Sequence, residues 1–382
     1  MDQELHPIAQ KVHAGYRLTA QDAMVMLRTR DIWSLGELAS HVRHRCHGRA
    51  AYYNVNRHLN YSNICALSCK FCEFYRKKGQ EGAYEYSVEQ IAEQAAAAAA
   101  AGATELHVVG GLHPWLPFEY YTDMLRAIRR VAATLHIKAF TAVEIVHLAR
   151  ISRRPRDVRR ILEDLRDAGL GSLPGGGAEV FDDRVHDEAF KGKIRSQTWL
   201  DVHRTAHELG IASNATMLYG HIESLEDRVH HLMMLRDAQD EAERDGHPAR
   251  FQTIIPLPFF PNGSELEHLP GPNGLDNLRM LAVCRLMLDN FAHVKAFWIM
   301  QTLSMAQVML DFGADDIDGT VVWYDITKVG GDDTHQEVTV ADLRGAIIEA
   351  GYEPVERDTL YRRVTRQGAA WQTETSANPV GV

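Results

Sequence analysis

From about residue 51 onward, short apolar and β-branched runs alternate with longer stretches whose apolar positions recur at helical spacing. The short runs predict strands over 51–56, 105–109, 136–140, 169–173, 213–218, 251–255, 296–299 and 320–324. Between the first two of these, 87–101 predicts a helix. Ser87 and Gln90 form a capping-box pattern at its start, and the unbroken alanine run 95–101 suits a tightly packed interior face. Residues 1 to about 50 read as helical: 22–28 carries apolar positions at helical spacing, and Ser34 with Glu37 has a second capping-box spacing.

Strand and helix alternating at this pitch predict an α/β fold, a parallel sheet closed or partly closed into a TIM-type barrel, because parallel neighbours need crossover helices. The expected organisation is an N-terminal helical segment over 1–50, a barrel over 51–330 and a C-terminal extension over 331–382, frayed from about 369. Functional groups of such a barrel belong at the C-terminal ends of its strands. Asn60 to Cys72, Gly110-Gly-Leu-His-Pro114, Thr141 to Glu144, Pro174-Gly-Gly-Gly-Ala-Glu179 and Tyr219-Gly-His-Ile-Glu223 each follow a predicted strand, as if around one mouth.

Composition narrows the class. Hydrophobic residues at 45% and charged residues at 24% describe a globular protein. A formal charge of −10 has the wrong sign for tracking a phosphate backbone, so nucleic acid is excluded as a partner. No apolar stretch approaches the roughly 18 residues of a membrane helix, and the start lacks a leader pattern, so the expectation is a cytoplasmic protein.

Five cysteines, three of them crowded at 65, 69 and 72, argue for reduced thiols rather than a disulfide framework. Soft thiolates gathered on one loop select zinc or an iron–sulfur cluster. Structural zinc usually closes with a fourth Cys or His, whereas three thiolates on a four-iron cubane leave one iron open to bind a small molecule. Cys65, Cys69 and Cys72 are therefore the candidate metal ligands, and Cys46 and Cys284 fall outside the site. A non-catalytic zinc or iron–sulfur protein is the competing class.

Cys65-Ala-Leu-Ser-Cys69-Lys-Phe-Cys72, with the aromatic Phe71 before its last cysteine, resembles the signature of the radical S-adenosylmethionine (SAM) superfamily. Asn56-Arg-His58, Gly110 to Tyr120, His136 to Ile145, Ser172 to Phe181 and Asn214 to Glu223 are further similar to the aminofutalosine synthase family within it. A related family, the cyclic dehypoxanthinyl futalosine synthases, shares the cysteine loop and the Pro-Gly-Gly-Gly-Ala-Glu run. Phe190-Lys-Gly-Lys193 departs from the pattern, which has a cysteine or proline before the Gly-Lys.

The resemblance implies a [4Fe–4S] cluster and SAM as co-substrate, with methionine leaving. It implies addition of the 5′-deoxyadenosyl radical to 3-[(1-carboxyvinyl)oxy]benzoate, giving aminodeoxyfutalosine for menaquinone biosynthesis. It also implies a one-electron donor such as flavodoxin or ferredoxin. Phe71, Gly110, Gly111, Glu144 and Glu179 then become candidates for holding SAM, the glycines toward its amino group and a glutamate toward the ribose hydroxyls. A substrate with two carboxylates calls for cations and hydrogen-bond donors at the mouth, for which His58, His113, Arg184, Asn214, Tyr219 and His221 are the candidates. No residue is assigned as catalytic in its own right, since the cofactor carries the hard step.

Overall fold

The computed structural model describes residues 1–321 and 337–374. Its centre is a parallel sheet of seven strands in sequence order: β2 (Asn56–Leu59), β3 (Glu105–Val108), β4 (His136–Ala139), β5 (Ser172–Leu173), β6 (Ala212–Tyr219), β7 (Phe251–Pro258) and β8 (His293–Val294). Each connection carries at least one helix, among them Val88–Ala100, Phe118–Val131, Ser196–Glu208, Leu225–Arg244 and Gly274–Met287. The sheet curls into a partial barrel, with the apolar core continuous between strands and helices.

A second sheet stands at its open side. β1 (Ala50–Asn54) lies between β9 (Asp316–Gly319) and β10 (Glu353–Glu356), parallel to both. A single parallel bridge, Lys295 to Asp316, ties the end of the seven-stranded sheet to this smaller one. The strand expected over 51–56 is thus two strands, broken at Val55, that serve different sheets. A β11 (Val364–Gln367) to β12 (Ala370–Thr373) hairpin follows, so the polar run from 369 is paired up to Thr373 instead of fraying there.

Other expectations shift locally. The first long helix, Ile32–His47, starts from Asp31, whose side chain accepts the Ser34 amide, so the Ser34–Glu37 box is not its cap. Thr19 and Asp22 instead form a capping box on Ala20–Arg28, and Ser87 with Gln90 forms the expected one on Val88–Ala100. The strand expected over 296–299 ends earlier, at Val294, and Trp298–Gln301 is a helical turn. Of 320–324, Thr320 and Val321 lie outside any strand and 322–324 fall outside the described residues. His203 and His207, four residues apart on Ser196–Glu208, are buried and converge on the Ser213 hydroxyl at 2.9 and 2.7 Å.

Candidate active site

The loop from Asn60 to Cys72 leaves β2 and bends back over the strand ends. Its shape is held by backbone pairing: Ala66 N–H donates to Leu112 O at 2.9 Å, Cys65 N–H to Arg76 O at 3.1 Å and Lys70 N–H to Ala189 O at 2.9 Å. The Lys77 ammonium gathers the Cys65 and Leu67 carbonyls at 2.9 and 2.8 Å. Gly111 makes this seat possible, since a Cβ there would stand 2.3 Å from the Ile64 carbonyl oxygen. Gly110 is bound likewise by the Tyr61 ring, 2.5 Å from where its Cβ would be.

All three thiols of the loop line one cavity of about 350 Å³ inside the barrel mouth. The Cys65 sulfur accepts the Leu67 and Leu112 amides, each at 3.4 Å, the kind of hydrogen bonding that stabilises a metal-bound thiolate. Burial raises the Cys69 thiol to about 11 and also raises Cys72, so each is a neutral thiol until a cation draws its proton away. Among the described residues, the sulfurs do not belong to any cluster of ligand atoms tight enough, within 4.8 Å, for a single ion. Three soft thiolate donors from one loop, all lining one cavity, are the donor chemistry of an iron–sulfur cluster with one iron left open. Cys46, exposed, and Cys284, buried in its helix, do not line the cavity.

Phe71, Gly110, Gly111, Glu144, Glu179, His58 and Asn214 line the same cavity as the cysteines. The Gly110 amide is already committed to Glu144 at 3.1 Å and the Gly111 amide to Ser62 O at 2.8 Å. Glu144 also accepts from the Tyr61 hydroxyl at 2.8 Å and caps its own helix through Thr141; burial nonetheless lifts its carboxyl to about 7. Glu179 sits in the left-handed region, φ +48°, behind the three glycines, and pairs with the Lys193 ammonium. That ammonium rests 4.9 Å from the Phe71 ring centre. Burial opposes its charge, but Glu179 outweighs it and the Lys193 pKa is raised.

Four expected residues lie elsewhere. Arg184 is half exposed and reaches Asp227 at 2.9 Å, away from the cavity. His113 braces its own loop, with Nε2 on Glu85 at 2.8 Å and Nδ1 accepting the Leu116 amide at 3.1 Å. The Tyr219 hydroxyl donates to Asn277 at 2.7 Å behind the wall, and His221 turns back onto Leu218 O at 3.1 Å. Strand-end position alone could not tell these from true lining residues. What it missed are Lys193 at the mouth and, deeper, His107, Lys138, Lys295 and Asp318. Pairing register sets His58, His107 and Lys138 in one row across β2, β3 and β4, and the two histidine rings stack with centroids 4.6 Å apart.

A sequence model of the radical SAM superfamily matches residues 59–235, and one described as the CofH/MqnC C-terminal region matches 249–368. The aminodeoxyfutalosine synthase of Thermus thermophilus is 44% identical across 95% of this chain and 96% of its own. This chain belongs to the radical SAM superfamily. Within it the chain is an enzyme of the CofH/MqnC type, a membership that implies a [4Fe–4S] cluster and SAM. The Streptomyces coelicolor aminodeoxyfutalosine synthase is 42% identical across 93% of this chain and 92% of its own. The 5-amino-6-(D-ribitylamino)uracil–L-tyrosine 4-hydroxyphenyl transferase of Methanospirillum hungatei is 36% identical across 94% and 98%. Methylornithine synthase superimposes with a TM-score of 0.72 at 17% identity, covering 91% of this chain and 97% of its own, which establishes the partial barrel as the shared fold. No helix among the described residues is long and apolar enough to cross a membrane.

Proposed function

We propose that this radical SAM enzyme is an aminodeoxyfutalosine synthase, joining the 5′-deoxyadenosyl group of SAM to 3-[(1-carboxyvinyl)oxy]benzoate with loss of one carboxylate as bicarbonate. The observation that carries the reading is 44% identity sustained along 95% of the chain, on a cavity whose size and lining suit an aryl ether. Cys65, Cys69 and Cys72 would hold the cluster, which when bound supplies the electron that cleaves the SAM sulfonium.

The chain's own groups do the positioning. Glu179, fixed by Lys193, offers a carboxylate toward the ribose hydroxyls; the Gly110–Gly111 edge borders the methionine end; Phe71 walls the site beside the cysteines. Leu218, Ile255, Leu257, Phe259, Phe260 and Phe297 make the remaining wall apolar, which keeps water from a carbon radical and orients the vinyl carbon by shape. A flavodoxin or ferredoxin supplies the electron, in the cytoplasm.

The 4-hydroxyphenyl transferases, which resemble this chain at 36% identity, mark the second reading, a transfer that uses tyrosine. Anaerobic incubation of reconstituted enzyme with SAM, reductant and each candidate substrate separates them, with dehypoxanthine futalosine included for the cyclic dehypoxanthinyl futalosine synthases. Aminodeoxyfutalosine should form from the enolpyruvyl benzoate. Cleavage of SAM without that adduct, or a product only from tyrosine and the ribitylaminouracil, sinks the assignment. Cys65→Ser, Cys69→Ser and Cys72→Ser should each lose the cluster, whereas Cys284→Ala should keep it.

A further inference from the structure

Below the cysteine loop the cavity ends on two ammonium groups. Lys138 and Lys295 both line it, 4% and 2% exposed, in a layer shared with His58, His107 and Asp318. Lys138 sits at one end of the His58–His107–Lys138 row and pairs with buried Glu105 at 2.5 Å. Lys295 is less well matched. Its one ion pair is Asp318 at 3.4 Å and among the described residues its ammonium makes no hydrogen bond, although its charge adds to that of Lys138 in lowering Glu105 and to that of Arg357 in lowering Asp316, in each case against burial. Asp318 itself is drawn aside by the Asn56 amide at 3.3 Å.

An ammonium has three donors, and burying it without filling them is costly. The two lysines also repel: burial is the chief cause that lowers the Lys138 pKa, Glu105 opposes it, and the nearby Lys295 charge adds to the lowering. An anion reaching them through the cavity would fill the open donors of Lys295. Asn214, 6% exposed on the neighbouring wall, adds an amide. Lys138 lies one residue inside the end of β4, and Thr141 just beyond that end adjoins Gly110 through Glu144, so the ammonium layer lies below the Gly110–Gly111 edge.

We propose that Lys295, with Lys138 beside it, is the seat of an aryl carboxylate: the ring carboxylate of the substrate, held at the far end from the reacting vinyl group. This rests on the function proposed above and deepens it. The seat fixes the ring by its charged end, so the vinyl carbon is presented upward to the cysteine loop. It also selects for substrates carrying an anion meta to the ether.

Holoenzyme and the variants Lys295→Gln and Lys295→Gln/Asp318→Asn are compared on two substrates, 3-[(1-carboxyvinyl)oxy]benzoate and 2-phenoxyacrylate, which lacks the ring carboxylate. The double variant guards against a fold lost to an unpaired Asp318. A charge-assisted contact of this kind is worth about 10- to 100-fold in binding, so KM for the dicarboxylate should rise by that factor in both variants. KM for 2-phenoxyacrylate should change less than about threefold. Equal rises for the two substrates, or none for either, overturn the seat. If wild-type enzyme converts neither, the functional reading fails and binding decides the seat: 3-hydroxybenzoate must then bind wild-type holoenzyme and not Lys295→Gln, and equal binding to both overturns it.

Discussion

Gly111→Ala strikes the point where the cysteine loop rests on the barrel. The added methyl would stand 2.3 Å from the Ile64 carbonyl oxygen and 3.1 Å from Cys65 Cβ. Unstrained contact of this kind needs about 3.4 Å, so the Ile64–Cys65 segment must retreat by about 1 Å. It is not free to do so, because Ala66 N–H on Leu112 O and Leu112 N–H on the Cys65 sulfur clamp it from the same side. Overpacking of this sort costs about 1–3 kcal/mol, and here the displacement falls on a metal ligand. The expected result is a lower urea midpoint for cluster-free protein together with iron uptake, on anaerobic reconstitution, cut to about half of wild type or less. Gly345→Ala is the matched control, since its Cβ meets nothing within 4 Å in the helix Val340–Glu349. It should stabilise by about 0.5–1 kcal/mol and leave iron uptake unchanged. A Gly111→Ala protein that unfolds and loads iron like wild type would refute the reasoning.

Stability should fall between pH 7 and pH 5. Burial is the main cause holding His58 and His136 down at about 4 and His207 and His231 at about 3. The unfolded chain binds protons at these sites near pH 6.5 and the folded chain does not, costing about 1.4 kcal/mol per histidine for each pH unit below that. Glu144, raised to about 7 mainly by burial, works oppositely, its contribution being lost as pH rises through 7, but it is one group against several. A urea midpoint at pH 5 equal to or above that at pH 7 would contradict this balance. Arg285→Met should cost about 3–5 kcal/mol in urea unfolding, because it strands Asp315, buried with His293 at 2.5 Å, without its guanidinium partner; a loss under about 1 kcal/mol would contradict it. Gly36→Ala, inside a helix like Gly345, should instead destabilise, since its Cβ meets the Phe312 ring at 2.7 Å.

The barrel was legible because each strand is a brief apolar run framed by long amphipathic stretches, and those runs survive as β3, β4, β6 and β7. Where strands shrink to two residues, as in β5 and β8, the local pattern carries too little signal. Ala296-Phe-Trp-Ile299 is as apolar as a strand, but it lies past the last ladder pair and coils into a turn; periodicity cannot separate these for so short a run. The break at Val55 is set by partners that arrive far downstream, which no local reading contains. That Cys65, Cys69 and Cys72 face one cavity was legible from their spacing. His113, Arg184, Tyr219 and His221 were not separable from lining residues, because their orientation depends on Glu85, Asp227, Asn277 and Leu218. Lys138 did leave a trace, as the one Lys within the short strand run 136–140, and Lys295 a fainter one, as the one Lys between Val294 and the apolar run 296–299.

The pairing of Ala50 with Glu353 joins positions some 300 residues apart, and β1 is sandwiched between β9 and β10, both from the last part of the chain. Such distant closure is slow and comes late. During synthesis β2 and the cysteine loop behind it can dock as soon as β3 emerges, whereas β1, just ahead of them, stays without neighbours until nearly all the protein has left the ribosome. A nascent chain stalled upstream of β9 would therefore carry β1 as a bare strand edge beside a partly built barrel, a template for pairing with other chains.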